Sequence, residues 1–463
     1  MGAYPICLLD PLFFGPISEE RARYIMDGVI RGISDYGNRI GVPTVGGMTY
    51  FDIGYLGNCL VNVVCIGIVK KDRIVRSKVG KPGELLVLAG GRTGRDGLHG
   101  VTFASRELKE ESSLEDRPAV QLGDPFTEKV LIDATMHAFS TGYISGAKDL
   151  GGGGLTCASS EMGYKGGYGV EIWTEKVPVR EIGMSDYEIM LSESQERMLL
   201  VVPKKNLEKA LEIFESEDVE ATPIGEFTSD GILRIHYMGY LVAELDIPFL
   251  FQPPKTVRKA KWIPPKFEKP NFPEPKDLTK ELLRLLSSPN IASRESVIRT
   301  YDHEVKGNTV IKPLHGENAG PSDAAVLKPL DHSWKGLVIS CGINPNYGKI
   351  DPYWMAASAI DEALRNNVAV GGRRIALLDN FTWGNPEKLD RMGSLVRACQ
   401  ACYEIAKGFG TPFISGKDSL YNESPLGPVN PTLLITAVGI IPDIRKAVTL
   451  DVKAPGNLNY VLG

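Results

Sequence analysis

At 463 residues, with 43% apolar and 24% charged side chains, the chain has enough material for two or more globular domains with buried cores. A formal net charge of -5 gives no electrostatic footprint for nucleic acid or an anionic membrane, and no uninterrupted apolar stretch approaches the roughly 18 residues of a membrane-spanning helix. The 7 cysteines are scattered, which suits reduced thiols in a cytoplasmic protein better than a disulfide framework.

In chain order, an apolar run at residues 5–9 predicts a strand leading into an Asp and an aromatic loop. A helical stretch follows at 19–39, then a short strand after Gly41-Val42-Pro43, and a β-branched run at 60–69 closes the unit. The same elements return near the end of the chain, with a strand at 374–378, a helix at 388–408 and a β-branched run at 432–441. Residues 1–47 lie over 370–416 without a gap. Leu8-Leu9-Asp10 meets Leu377-Leu378-Asp379, Gly41 meets Gly410, Pro43 meets Pro412 and Gly47 meets Gly416. With three added residues Gly67 meets Gly439, and with one more Pro82-Gly83 meets Pro455-Gly456 and Gly90 meets Gly463. This ordered series of conformationally demanding residues implies an internal duplication.

The copies have unequal edges. Residues 271–369 precede the second copy and nothing corresponding precedes the first, while the first continues to about 253 and the second stops at Gly463. The expected organisation is therefore the later part of an A-type domain (1–83), a B-type domain (84–253), a second A-type domain (278–455) and the start of a second B-type domain (456–463). It reads as the middle of an A–B–A–B parent lacking both ends. The strand-like close, NLNYVLG, fits that reading, because a strand without a partner exposes its edge. Between the copies, at 254–277, seven prolines from Pro253 to Pro275 alternate with Lys and Arg and predict an extended, solvated linker.

Three glycine-rich stretches carry the chemistry. Gly90 to Gly100 (GGRTGRDGLHG) follows the strand-like ELLVLA. Its glycines allow close approach to an anion, Arg92 and Arg95 offer charge, and a tight surface turn is the plain alternative. Asp149 precedes Gly151 to Gly154 and a helical stretch, whose start suits phosphate while Asp149 offers a hard oxygen to magnesium, unless it simply caps the helix. Ile414 to Asn422 brings together Gly416, Lys417, Asp418 and Ser419, a weak signal for a phosphate and its metal. Glu193-Ser194-Gln195 reads by itself as a solvated helix start, and Gln121 as an amide that meets a ligand or closes a turn. Cys399 and Cys402 form one CxxC within a helical stretch and read as packing, and His303 reads as structural. There is no Walker P-loop, no kinase signature and no glutaminase-like Gly-x-Cys-x-Gly elbow.

Together, MGAYPI, GVPTVGG, GGRTGRDGLHG, QLGDPFTEK, DLGGGG, LSESQERM, LLDNFTWGNPE and SGKDSLYN resemble the large ATP-using subunit of the phosphoribosylformylglycinamidine synthase family, in order and over essentially the whole chain. The resemblance implies a mixed α/β fold of duplicated aminoimidazole ribonucleotide synthetase-like A–B units, each a mixed sheet packed by helices. It implies ATP-dependent amidation of formylglycinamide ribonucleotide through an iminophosphate, with ATP and magnesium as cofactors. Ammonia would come from a glutaminase subunit joined through a small bridging subunit. By motif, Gln121, Glu193, Ser194, Gln195 and Ser419 resemble substrate contacts, Asp379 and Gly416 nucleotide contacts, and Asp149 a metal ligand. Where many members have a metal-ligating Asn, this chain has Lys417, and an ammonium cannot ligate magnesium; Asp418 is the substitute the sequence offers. The family's catalytic His lies in a segment preceding MGA, so the chain alone is expected to show little or no synthetase activity. The competing readings are a non-catalytic or split-chain piece that binds nucleotide or substrate, and another ATP enzyme of the superfamily; the in-chain duplication counts against the latter.

Overall fold

The computed structural model describes residues 2–109, 117–267 and 270–461. Its contacts divide the chain into two compact units, Met1–Pro5 with Gly67–Val257 and Ile6–Ile66 with Arg258–Gly463.

The chain opens with β1 (Tyr4–Phe14), which passes the expected end at residue 9 and runs on through Asp10-Pro11. The aromatic segment is core rather than loop, because Leu12, Phe13 and Phe14 are all fully buried. Helix α1 (Glu20–Ile40) sets Ile30 against Leu12, Phe14 and Phe51 and ends at Gly41, whose left-handed backbone (φ 68°) turns its N–H back to Asn38 O. Strand β2 (Thr44–Phe51) then lies parallel to β1, and β3 (Leu60–Val61) antiparallel to it. The β-branched run forms two strands rather than one, since β4 (Val64–Ile68) follows β3 separately and also joins β1.

The first unit is built on β5 (Leu85–Gly90), α2 (Pro125–Thr141), β6 (Gly146–Asp149), α3 (Gly154–Gly166), β7 (Gly169–Trp173) and α4 (Asp186–Leu191). It continues with β8 (Arg197–Val202), α5 (Leu207–Ser216), β9 (Ala221–Thr228), β10 (Ile232–Tyr237) and β11 (Tyr240–Asp246). The strands form one mixed sheet in the order β11-β10-β7-β9-β5-β8-β6. Side chains alternate across it. Val87, Ala89, Leu200 and Val202 meet Leu131, Ala134 and Phe214 of α2 and α5, whereas Leu86, Leu88, Leu199 and Val201 meet Leu155 and Met162 of α3. Both faces are covered, which is why LLVLA and MLLVV read as unbroken apolar runs.

After the linker come α6 (Leu278–Leu286), β12 (Thr309–Ile311), β13 (Ala325–Leu327), β14 (Gly336–Gly342) and α7 (Pro352–Ala369). The second copy follows as β15 (Arg373–Thr382), α8 (Leu389–Phe409), β16 (Phe413–Ser419) and β17 (Thr432–Ile441). These strands order as β12-β13-β14-β17-β15-β16, with Met355, Ile360 and Leu364 of α7 and Ala398 and Cys402 of α8 packed on Leu377, Leu433 and Ile435. Of the CxxC pair, Cys402 is buried in that cluster and Cys399 is exposed. The described residues of 254–277 form no helix or strand, yet the linker is not simply solvated. Lys261 N donates to Leu389 O at 3.0 Å, and the Arg397 guanidinium sits 5.7 Å from the centre of the Trp262 ring.

The duplication holds at the level of register. Leu8 pairs with Thr44, the pairing slips by one residue, and Asp10 then pairs with Gly47; Leu377 pairs with Phe413, the same slip occurs, and Asp379 pairs with Gly416. Leu8 N reaches Pro43 O, and Leu377 N reaches Pro412 O, both at 2.8 Å. Gly83 and Gly456 both adopt positive φ (81° and 89°). Beyond that turn the copies part: residues 457–461 are exposed and form no strand, against the strand-like reading of NLNYVLG, whose final residues lie outside the described residues, as does the Gly463 partner of Gly90.

The slip presses each glycine onto its aspartate. A Cβ on Gly47 would lie 2.5 Å from the Asp10 carbonyl oxygen, and backbone there cannot rotate away. Gly47→Ala is expected to destabilise the second unit by about 1–3 kcal/mol, read as an earlier midpoint in urea unfolding.

Candidate functional site

Strand register gathers three loops at one end of the first unit's sheet. Gly90 at the end of β5 pairs with Arg197 at the start of β8, and Asp149 at the end of β6 pairs with Met198. The Gly90–Gly100 loop, the Asp149–Gly154 loop and the Ser192–Gln195 segment therefore meet side by side. Glu193 ties them. Its carboxylate, 3% exposed, accepts from Val101 N (3.2 Å) and Gly153 N (3.0 Å) on one oxygen and from Gln121 Nε2 (2.8 Å) on the other. Two of the four glycines, Gly153 and Gly154, hold the left-handed backbone of this approach. Gly154 has φ 54° and stands so close to Ser192 O that a Cβ would collide with it.

Ser194 is equally buried. Its hydroxyl donates to Asp96 Oδ1 at 2.6 Å and accepts from Gly94 N at 2.9 Å. Gln195 Nε2 donates to Glu193 O at 2.7 Å. The reading of Glu193-Ser194-Gln195 as a solvated helix start is thus overturned: α4 ends before it, Glu193 and Ser194 are buried between loops and Gln195 is half-buried. Of the five residues in this cluster that resemble ligand contacts, Gln121 and Asp149 are exposed, and the Asp149 carboxylate stands 3.7 Å from Lys148 Nζ.

The arginines have other duties than the sequence suggests. Arg95 pairs with Glu188 (2.7 Å) and Glu181 (3.0 Å) and donates to Gly183 O, and Arg92 pairs with Glu220 (2.8 Å). Both charges are spent inside the unit rather than held for an anion, because each loop arginine lies beside a carboxylate on a neighbouring segment. Three residues that sequence reasoning passed over complete the network. Asp96 is buried and pairs with Arg180. Arg197, 2% exposed, donates to Ser194 O, Ser192 O and Thr93 Oγ1, and burial lowers its guanidinium to about 10. The one available signal was a cation opening an otherwise apolar strand, RMLLVV.

In the second unit, Asp379 and Gly416 lie on adjacent strands, and a Cβ on Gly416 would collide with the Asp379 carboxylate. Burial raises the Asp379 carboxyl, while a hydrogen bond from the Lys417 amide partly offsets it and the Asp418 charge adds to it. Gly416 to Ser419 lie within β16 rather than in a loop after it, so Lys417 and Asp418 are exposed positions on a strand. Ser419 accepts from Asn422 Nδ2 at its hydroxyl (3.1 Å). His303 Nδ1 lies 3.2 Å from Tyr301 O, in keeping with a structural role. Among the described residues, no three His, Cys, Asp or Glu side chains gather into a metal-binding cluster, and no helix is long and apolar enough to cross a membrane.

Residues 81–238 match the AIR synthase related protein, C-terminal domain, and residues 1–69 and 321–441 match the N-terminal domain of the same family. Phosphoribosylformylglycinamidine synthase subunit PurL of Methanothermobacter marburgensis is 44% identical over 469 residues, and that of Thermococcus sibiricus 45% over 463; each alignment takes in 100% of this chain and 63% of the relative. The chain thus spans about 63% of the length of these curated relatives. Among solved structures, T. maritima PurL complexed with FGAR superimposes with a TM-score of 0.81 at 33% identity, over 97% of this chain and 68% of that one. PurLQS from Thermotoga maritima gives 0.80 at 32% (97% and 68%), and T. maritima PurL complexed with ATP gives 0.77 at 31% (96% and 67%).

One acid beside the three-loop cluster has a pH signature. Burial, helped by the neighbouring Glu196 carboxylate, raises Glu128 in the first turn of α2 to about 7 from an ordinary 4.5. A raised folded-state value means that the protonated form favours the fold. That contribution is complete below pH 4.5 and is lost as pH rises through 7. Glu128→Gln is expected to melt above the parent protein at about pH 8 and level with it at about pH 4, checked by calorimetry at both values.

Proposed function

The chain belongs to the phosphoribosylformylglycinamidine synthase PurL family, and we propose that it works in the ATP-dependent amidation of formylglycinamide ribonucleotide to formylglycinamidine ribonucleotide. An amide oxygen is a poor leaving group. ATP transfers its terminal phosphoryl group to that oxygen, giving an iminophosphate and ADP; ammonia then adds at the carbon and phosphate departs. The first step is mainly positioning and charge neutralisation, which fixed loops can supply.

The observation that carries this reading is the convergence of three loops on Glu193, in a fold shared with a relative solved with FGAR. In this proposal Gln121, Glu193, Ser194, Gln195 and Ser419 contact the substrate. Asp379 and Gly416 contact the nucleotide, the absence of a Cβ at Gly416 leaving the carboxylate its place beside the strand. Magnesium fits the exposed carboxylates of Asp149 and Asp418, which are hard oxygen donors, and does not fit the Lys417 ammonium. The ion characteristically takes one or two carboxylates together with substrate phosphates, and when bound it would neutralise phosphate charge. Ammonia would come from a separate glutaminase subunit held by a small bridging subunit, in keeping with the relative solved as PurLQS.

Because the chain spans about 63% of its curated relatives, ligand binding is tested separately from turnover. Calorimetric titration with formylglycinamide ribonucleotide and with a non-hydrolysable ATP analogue is expected to show both binding. Gln121→Ala should weaken the substrate about tenfold, the equivalent of about 1.4 kcal/mol, and spare the nucleotide, with Asp379→Ala doing the reverse. Binding of neither ligand, or equal loss of both in each variant, would overturn the reading. Phosphate release with ammonium, ATP and substrate then separates a competent enzyme from a piece that only binds.

A further inference from the structure

Arg197 is a buried cation with no carboxylate within ion-pair distance among the described residues, the Asp96 charge acting on it only from farther off. Burying a guanidinium is costly, and at the start of a strand reading MLLVV an apolar side chain would fill the space without that cost. What the guanidinium does instead is bind the main chain on both sides of Glu193. Its Nε donates to Ser194 O at 2.7 Å, one terminal nitrogen to Ser192 O at 2.8 Å, and the other to Thr93 Oγ1 at 2.8 Å. With the carbonyls of residues 192 and 194 both turned to one planar fork, the Glu193 side chain is left to reach Gln121, Val101 N and Gly153 N. A second observation points the same way. Glu196, between this segment and β8, holds a left-handed backbone (φ 54°) that a non-glycine residue keeps only when its surroundings impose it.

Resting on the reading that the Glu193–Gln195 segment contacts substrate, we propose that Arg197 is a positioning residue for that site, clamping the segment by its carbonyls so that the Glu193 carboxylate stays locked to the two glycine-rich loops. It touches no ligand itself. Its effect passes through Glu193 and Gln195, and Thr93 anchors the fork to the loop that follows β5.

The test measures amide exchange and binding in the full chain, comparing the parent with Arg197→Met, Arg197→Lys and Thr93→Val. In Arg197→Met the Val101 and Gly153 amides should exchange at least about tenfold faster, and formylglycinamide ribonucleotide should bind at least about tenfold more weakly, with the ATP analogue unaffected. Arg197→Lys should recover part of both, and Thr93→Val, which removes one of three acceptors and is nearly isosteric, should show a smaller loss of each. If Arg197→Met does not fold, Thr93→Val and Arg197→Lys decide alone. Folded variants with parental exchange at Val101 and Gly153 would overturn the proposal. Failure of the parent chain to bind the substrate would instead overturn the substrate reading, leaving exchange to judge the clamp.

Discussion

The first unit's candidate site depends on one buried carboxylate that must be hydrogen-bonded. An ionised Glu193 without partners would be strongly unfavourable in the interior, so the fold has to deliver donors to it, and it does so with two backbone amides and one side-chain amide. Those donors come from three stretches far apart in sequence, and the two glycine-rich ones approach closely because the backbone is stripped of side chains at the contact. A Cβ on Gly100 would collide with the Glu193 carboxylate, and one on Gly154 with Ser192 O. The glycine richness of both loops is therefore a packing requirement before it is a ligand-binding device.

This explains what was legible in the sequence and what was not. The glycine runs, the strand–helix–strand order and the duplication all show as local patterns. Helices α1 and α8 end at Gly41 and Gly410, where glycine provides the left-handed turn, and both fell within a residue of their expected bounds. The partners of Arg92, Arg95 and Glu193 were not legible, because a charge and its partner lie 40 to 128 residues apart and nothing local marks the pairing. β1 was cut short for a related reason. Asp10-Pro11 resembles a strand end, yet three following residues of core outweigh a carboxylate and a missing amide donor.

The two arginine roles also separate by chemistry. Arg95, partly exposed, meets carboxylates: its side chain holds Glu188 down to about 2, and its backbone amide, then its side chain, lowers Glu181. Arg197, fully buried, meets carbonyls and a hydroxyl. Its direct acceptors are neutral, and the one buried charge near it, Asp96, reaches it only through space. The outer arginine joins segments by charge, and the inner one sets main-chain direction.

The duplicated strand pair shows how one backbone frame acquires two environments. Asp10 and Asp379 occupy the same register position after the same slip, each against a glycine. Asp379 is half-buried, beside the strand β16 whose residues 414–418 are exposed, and the Lys417 amide donates to it. Asp10 is 3% exposed with neither carboxylate oxygen hydrogen-bonded, and burial raises its carboxyl to about 7. The cause lies in the segment before β12. Val297 and Tyr301 pack with Leu12 and Phe14 of β1, and burial, with the Asp10 charge beside it, raises the Tyr301 hydroxyl. Residues that lie ahead of the second copy thus close over the strand of the first, while Asp379 stays half-buried with its donor on the paired strand. Backbone register alone does not decide which aspartate can serve a ligand; the cover laid over it does.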